Sequence, residues 1–248
     1  MYENIKFLPS GDTSVVMEFG NEISPKINAR IRNVVNSLSR NNCDYITEIV
    51  PTYRSILVIY DPLKITYAKL TENLLNFDKS SEASKSNSLR IVEIPIVYGG
   101  EYGPDLEFVA NHTGLTCDEV IEIHTSRDYL LYMLGFTPGF GYLGGMDERI
   151  ATPRLQVPRT KIPKGSTGIA GSQTGLYPID SPGGWQLIGR TPIKLYDPTD
   201  EPPVLLRAGD YVRFVSISEE EFHNIEDLVN KGLYKVNIIL DGEVRAIE

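Results

Sequence analysis

The stretch that decides the fold runs from Gly135 to Pro192 and reads GFTPGFGYLGGMDERIATPRLQVPRTKIPKGSTGIAGSQTGLYPIDSPGGWQLIGRTP. Twelve of the 21 glycines and seven of the 16 prolines of the chain fall within these 58 residues. Glycine permits positive φ and close backbone approach, whereas proline fixes φ, so this density is typical of rigid, irregular loops. Only short strand-like pieces remain between the loops, which predicts a β-barrel or sandwich rather than βαβ units. Rigid loops on a β scaffold often carry binding residues, although a barrel wall with tight corners would show the same composition.

This segment is also locally basic. Its six Lys and Arg residues face three acidic residues, giving +3 in a chain of net charge −9. Such a cationic island attracts a small anion, for example a carboxylate or a phosphate. Alternatively, the cations pair with acidic residues elsewhere in the fold or contact a protein partner. A proline directly precedes three of them and restricts the backbone there, so we select Arg154, Arg159 and Lys164 as candidate anion-binding residues.

Four further side chains are candidates for a site. Gln173 and Tyr177 are polar groups in the same segment that are suited to orienting a small substrate. Trp185, the only tryptophan, follows two glycines. Three interpretations are open for it: a wall on which a planar ligand stacks, a contact for a protein partner, or a core anchor. His124 ends a predicted helix just before the segment and is a candidate general acid or base. The alternative for His124 is a favourable position at a helix C-terminus.

Several familiar motifs are excluded. Gly139–Gly144 formally matches the dinucleotide fingerprint, but Gly145 and later prolines prevent the long helix that this motif requires. The chain contains no Walker A sequence and no Gly-x-Ser-x-Gly elbow. The three histidines are not spaced as metal ligands, so we expect no metal site.

Composition restricts the classes of partner that the protein can bind and the cell compartment in which we expect it. The acidic net charge argues against nucleic acid and against an anionic membrane surface. No apolar run approaches the ~20 residues that cross a bilayer, and the first residues do not resemble a signal peptide. Cys43 and Cys117 lie far apart, and we expect both to be reduced thiols of a cytoplasmic protein.

A polar run from Lys79 to Ser88 is the best candidate linker. It divides a small α/β domain, residues 1–82, from a β-rich domain, residues 83–248, so the predicted class is α+β. The first domain is predicted to contain a strand at Ser14–Phe19, a helix opened by Ser24-Pro25, a β-rich stretch at Ile46–Tyr60 and a helix at Leu63–Phe77. The second is predicted to contain strands at Leu89–Tyr98, Tyr129–Phe136 and Tyr234–Leu240, and helices whose capping boxes are Thr116/Glu119 and Ser218/Glu221.

Several blocks of the sequence together resemble one known family, which comprises allophanate hydrolase subunit 1, KipI and the B subunit of 5-oxoprolinase. The matching blocks are Gly135–Gly145, Ala151–Arg154 with Pro158–Thr160, Gly171–Pro178 with Ser181–Pro192, and, outside the segment, Gly11-Asp12, Pro51–Ser55 and Tyr98–Leu106. The resemblance covers nearly the whole chain.

The resemblance implies a small, ferredoxin-like α/β domain followed by a cyclophilin-like β-barrel. It implies a hydrolase component that works with A-like (lactam-utilisation) and C-like (KipA-like) subunits to open 5-oxo-L-proline to L-glutamate. The complex would use ATP, whose site is not expected in this chain alone. B-like and C-like modules are fused in the carboxyltransferase part of urea carboxylase. The alternative is a KipI-like inhibitor of a sporulation sensor histidine kinase, which is a regulatory binding protein rather than part of an enzyme.

Overall fold

The computed structural model describes residues 1–81, 89–135, 137–241 and 243–245. They divide into two units, Met1–Asn87 and Ser88–Glu248. The predicted boundary between residues 82 and 83 lies outside the described residues. The last helix of the first unit continues to Ser81, so the first three residues of the predicted linker are helical.

The first unit is a four-stranded antiparallel sheet with two helices. Its elements are β1 (Lys6–Pro9), β2 (Ser14–Glu18), α1 (Pro25–Asn41), β3 (Ile46–Pro51), β4 (Ser55–Tyr60) and α2 (Tyr67–Ser81). The strand order is β1-β2-β4-β3. Helix α1 starts with the predicted proline and buries an apolar stripe that includes Ile27, Ile31 and Val34. A ferredoxin-like unit has the order βαββαβ, whereas the described elements run ββαββα.

Helix α2 begins four residues later than the sequence predicts. Leu63 is 96% exposed, and its backbone N–H donates to the Asp61 carboxylate over 2.9 Å. This hydrogen bond forms a local turn of the kind that Asp favours and that competes with helix formation.

The second unit contains most of the strands. Its elements are β5 (Arg90–Tyr98), α3 (Leu106–Thr113), α4 (Cys117–Thr125), β6 (Asp128–Leu134), β7 (Gly141–Gly144), a 3₁₀ turn (Glu148–Ile150), β8 (Arg159–Ile162), β9 (Ser166–Ala170), β10 (Gln173–Leu176), β11 (Ser181–Gly183), β12 (Gln186–Arg190), β13 (Tyr211–Ser216), α5 (Glu219–Asn230) and β14 (Ile238–Leu240). Both predicted capping boxes are confirmed, at the starts of α4 and α5. The predicted closing strand is shorter than expected, and Phe136 of the predicted β6 lies outside the described residues.

The strands of this unit form a nearly closed β-barrel. Their order is β10-β9-β12-β5-β13-β6-β7, with β14 beside β5, and β7 lies against β10 at the seam. Strands β5 and β13 pair in parallel and bury Val92, Ile94 and Phe214 in the main core. A separate two-stranded ribbon, β8 with β11, lies outside the barrel sheet. The predicted combination of helices and strands with a β-barrel is therefore confirmed, in the coarse sense of the α+β class.

None of the helices in the described ranges is long and apolar enough to cross a membrane.

Candidate functional site

One cavity of the second unit brings together three of the predicted site residues. It has a volume of about 390 Å³, within the range of small-molecule sites, and Arg154, Tyr177 and Trp185 all line it. Phe140 and the loop around β11 supply much of the remaining wall. We call this space the aromatic cavity.

Four aromatic rings give the aromatic cavity its shape. The Phe140 ring centroid lies 5.5 Å from that of Tyr142, 5.7 Å from that of Tyr177 and 5.9 Å from that of Trp185, with steep interplanar angles. Tyr177 and Trp185 meet edge to face at 6.2 Å. These are favoured aromatic geometries, so the rings hold one another in place and form a rigid wall suited to a small cyclic ligand.

Trp185 is both a core residue and a wall of the cavity. It is 7% exposed, and its ring lies over Gly175, where a Cβ would be 3.0 Å from the indole Cζ3. Glycine at this position of β10 therefore leaves the space that the indole occupies. The core-anchor interpretation of this tryptophan therefore applies, and its role as a stacking wall for a ligand stays a prediction.

The Tyr177 hydroxyl remains protonated at neutral pH. Burial raises the pKa of Tyr177 to about 12, against the opposing effects of the Arg154 charge, a hydrogen bond from the Trp185 backbone and the Arg159 charge. A neutral phenol both donates and accepts hydrogen bonds. The residue is thus fitted to orient a polar group of a ligand rather than to act as a base.

Arg154 is the cation of this cavity. Its side chain is exposed, and among the described residues no carboxylate lies within ion-pair distance of it. Its backbone is fixed on both sides, because Gln186 Nε2 donates to the Pro153 carbonyl over 2.9 Å and the Leu155 N–H donates to the Gly184 carbonyl over 2.7 Å. The hydrogen bonds fix the backbone from which the side chain extends, and a guanidinium can bind a planar oxyanion through two hydrogen bonds.

Other cations of the segment are neutralised by acidic partners. Arg159 pairs with Asp105 at 2.7 Å, Lys161 with Asp180 at 2.9 Å, and Arg149 with Asp147 at 2.9 Å. For Arg159 the structure supports the alternative interpretation, pairing with an acidic residue elsewhere in the fold. Lys161 and Arg149 instead pair with acidic residues of the segment itself.

Lys164 and Gln173, like Arg159, are not among the residues that line the aromatic cavity. Lys164 lines a second cavity of about 420 Å³, together with Arg190 and the carboxylates of Asp180, Asp197 and Glu226. Gln173 is the first residue of β10 and is not among the lining residues of either cavity. The structure therefore does not bring Lys164 or Gln173 next to Arg154.

His124 occupies the barrel core. It is fully buried, with Nδ1 2.7 Å from the Tyr98 hydroxyl and Nε2 2.8 Å from Thr174 Oγ1. Its ring stacks on Phe214 at 4.4 Å, and burial lowers the pKa of His124 to about 3. The imidazole is neutral, both of its nitrogens are engaged, and it does not line the aromatic cavity. The geometry gives no support to its predicted role as a proton carrier, and we leave it out of the site.

The side chains that line the aromatic cavity offer groups that can bind a ligand. Its described lining residues include hydroxyl groups, of Thr137 and Ser181 among others, but no carboxylate, histidine or cysteine. Within the described ranges, no three His, Cys, Asp or Glu side chains cluster as metal ligands would. Sequence reasoning missed Phe140 and Tyr142, although their alternation with glycine in Gly139–Gly144 was a usable signal.

We predict that Gly183→Ala lowers the free energy of unfolding by about 1–3 kcal/mol, the usual cost of overpacking. A Cβ at Gly183 would lie 2.4 Å from the Tyr177 hydroxyl oxygen and 2.7 Å from Ile162 Cδ1. Gly184→Ala is the matched control, because its Cβ would meet no described atom closer than 3.7 Å. Urea unfolding of both variants tests this, and equal stabilities would contradict the packing described for the β11 loop.

The comparisons with known proteins agree with this fold. The family described as carboxyltransferase domain, subdomain C and D, matches residues 5–206. The chain is 44% identical over 234 residues to the 5-oxoprolinase B subunit of Bacillus subtilis, covering 89% of this chain and 96% of that protein. It is 43% identical over 209 residues to the 5-oxoprolinase B subunit of Escherichia coli O157:H7, covering 84% and 94%. The crystal structure of the K. lactis urea amidolyase has a similar fold, with a TM-score of 0.76 at 23% identity over 95% of this chain and 16% of that chain. The chain therefore belongs to the family of the carboxyltransferase domain, subdomains C and D, alongside the bacterial 5-oxoprolinase B subunits.

Proposed function

We propose that this chain is the B subunit of a cytoplasmic, ATP-dependent 5-oxoprolinase, which with A-like and C-like subunits opens 5-oxo-L-proline to L-glutamate. The names of the two bacterial relatives support the proposal. The observation that carries it is the position of Arg154, a cation without a carboxylate partner among the described residues, at the edge of a cavity walled by aromatic rings. The relatives do not favour the alternative, an inhibitor of a histidine kinase.

The chemistry of 5-oxo-L-proline matches this cavity. The molecule is a five-membered lactam ring that carries a single carboxylate. Arg154 would bind the carboxylate through its guanidinium fork. The aromatic walls would enclose the ring, and the Tyr177 hydroxyl would hydrogen-bond the polar edge of the lactam. Each group of the ligand then has a partner of matching polarity.

This assignment gives the chain a restricted part in the reaction. Its residues would hold and orient the lactam and shield one side of it from water. The described lining offers no general base and no carboxylate or thiol nucleophile, so we propose that the reacting groups and the ATP site come from the partner subunits or from an interface with them. The hydrolase activity would then belong to the assembled complex.

The finer fold assignments belong to the same proposal. We infer a ferredoxin-like plan for the first unit, in which β1 takes the place of the strand that would follow α2. The reason is that β1 forms the edge of the sheet beside β2. We likewise infer a cyclophilin-like barrel for the second unit.

The single tryptophan provides a direct binding test. Titrating the isolated chain with 5-oxo-L-proline should change the Trp185 fluorescence in a saturable way, whereas 2-pyrrolidinone, which lacks the carboxylate, should bind far more weakly. The chain assembled with its A-like and C-like partners should release glutamate from 5-oxo-L-proline only when ATP is present. A folded, assembled complex without this activity would overturn the proposal.

A further inference from the structure

Asp105 occupies the N-cap position of α3 but does not cap the helix. No hydrogen bond joins its side chain to the helix N-terminus, although aspartate is among the residues most favoured at that position. The carboxylate turns away instead. Oδ1 accepts from Arg159 Nη2 over 2.7 Å, and Oδ2 accepts from the Leu187 N–H over 2.6 Å.

The Asp105–Arg159 ion pair forms hydrogen bonds to the backbone at the beginning of β12 at two points. Arg159 Nη1 donates to the Trp185 carbonyl over 3.3 Å, while the Asp105 carboxylate holds the Leu187 N–H. The Asp105 N–H also donates to the Leu187 carbonyl over 2.9 Å. The residues on both sides of Gln186 are therefore fixed by one ion pair.

Gln186 connects the start of β12 to the backbone beside Arg154. Its side chain is 2% exposed, and its Nε2 donates to the carbonyl of Pro153, which directly precedes Arg154. Trp185, next to Gln186 on the other side, is the indole wall of the aromatic cavity. The indole and the backbone from which the Arg154 side chain extends thus both depend on where the start of β12 lies.

The turn that carries Asp105 lies unusually close to β12. A Cβ at Gly103 would lie 2.0 Å from the Ile188 carbonyl oxygen, so only glycine fits without a backbone shift. The Gly99 N–H donates to the same carbonyl over 3.0 Å. The Asp105 carboxylate is therefore delivered to β12 by a rigid turn.

We infer that Asp105 and Arg159 are positioning residues, whose ion pair holds Trp185 and Arg154 in the geometry that the ligand requires. This rests on the proposed function and deepens it. It also replaces the sequence-based hypothesis that Arg159 touches the substrate, because its guanidinium is already committed to Asp105 and to the Trp185 carbonyl.

The test uses Arg159→Met and Asp105→Asn, first without any ligand. Both variants should shift the Trp185 emission to longer wavelength and increase its quenching by acrylamide, because the indole wall loosens. In the assembled complex both should raise KM for 5-oxo-L-proline about tenfold with little change in kcat, as expected when binding is lost equally in the ground and transition states. Arg159→Lys, which keeps the charge but loses the fork, should lie between wild type and Arg159→Met.

Two controls separate positioning from general destabilisation. Arg213→Lys weakens another buried ion pair, with Asp128 at 2.7 Å, and should lower the melting temperature without moving the Trp185 emission. Lys161→Met removes an exposed cation from the same strand as Arg159 and should change neither quantity. If Arg159→Met and Asp105→Asn lower the melting temperature but leave emission, quenching and KM as in wild type, the inference is wrong. If the emission shifts while the wild-type complex does not act on 5-oxo-L-proline, the proposed function fails and the positioning role stands.

Discussion

Replacing Arg154 with methionine should weaken the binding of 5-oxo-L-proline about 100-fold, because a charged hydrogen-bonded pair in a partly enclosed site contributes up to about 3 kcal/mol. The stability of the protein should stay within about 0.5 kcal/mol of wild type, since an exposed side chain outside an ion-pair network contributes little. Titration followed by Trp185 fluorescence measures the affinity, and urea unfolding measures the stability.

Three comparisons make the Arg154 result specific. Arg154→Lys keeps the charge but loses the planar fork, so its affinity should lie between those of wild type and Arg154→Met. Lys161→Met removes a cation that already pairs with Asp180 and should bind the lactam normally. The weak binding of 2-pyrrolidinone should be the same in all variants. Wild-type affinity in Arg154→Met would show that the carboxylate binds elsewhere, and the cavity of Lys164 would be the next place to examine.

The parts of the fold that depend on local rules could be predicted from sequence. The capping boxes at Thr116 and Ser218 act within four residues, and they mark the starts of α4 and α5 correctly. The glycine and proline density between Gly135 and Pro192 predicts the barrel because tight corners and irregular loops need those residues wherever they fold. The start of α2 could not be placed as well, because the turn at Asp61 competes with the first helical turn.

The parts of the site that depend on distant partners could not be predicted. Arg154 and Arg159 look alike in sequence, since each follows a proline. One lacks an ion-pair partner in the described chain, whereas the other meets Asp105, 54 residues earlier in sequence. No local sequence pattern predicts which of the two arginines has an ion-pair partner. Asp105 reaches Arg159 only in the folded chain, where the turn at Gly103 packs on β12.

The positions of Gln173 and Lys164 outside the aromatic cavity could not be predicted for a similar reason. Both belong to the segment that forms the cavity, yet in a barrel wall neighbouring residues and neighbouring loops face different spaces. Along the loop after β10, Tyr177 and Ile179 line the aromatic cavity, whereas Pro178 and Asp180 line the cavity of Lys164. One stretch of backbone therefore separates two cavities, and membership of a motif does not tell which of them a residue faces.

The buried state of His124 leads to a second large expected effect, an increased sensitivity of the fold to acid. Burial lowers the pKa of His124 to about 3 in the folded protein, whereas an unfolded histidine titrates near 6.5. Between these two pKa values the histidine is protonated in the unfolded chain but not in the folded chain. The free energy of unfolding therefore decreases as the pH falls from 6.5 towards 3. The contribution should reach about 3 kcal/mol on going from pH 7 to pH 4.

The variant His124→Gln isolates this effect. Glutamine keeps a polar partner for Thr174 but carries no titratable group, so its unfolding free energy should fall less steeply below pH 6.5 than that of wild type. The contributions of other titratable groups are the same in both proteins and cancel in the comparison. Burial raises the pKa of Tyr98 and Tyr129, so both stay neutral. A hydrogen bond from Arg149 lowers the pKa of Asp147 to about 2 in both proteins. Urea unfolding at several pH values gives both slopes, and parallel curves would contradict the prediction. Since the imidazole is a core residue here, His124→Gln should also keep most of the kcat of the assembled complex at pH 7, whereas loss of a proton carrier would reduce kcat by about 100-fold or more.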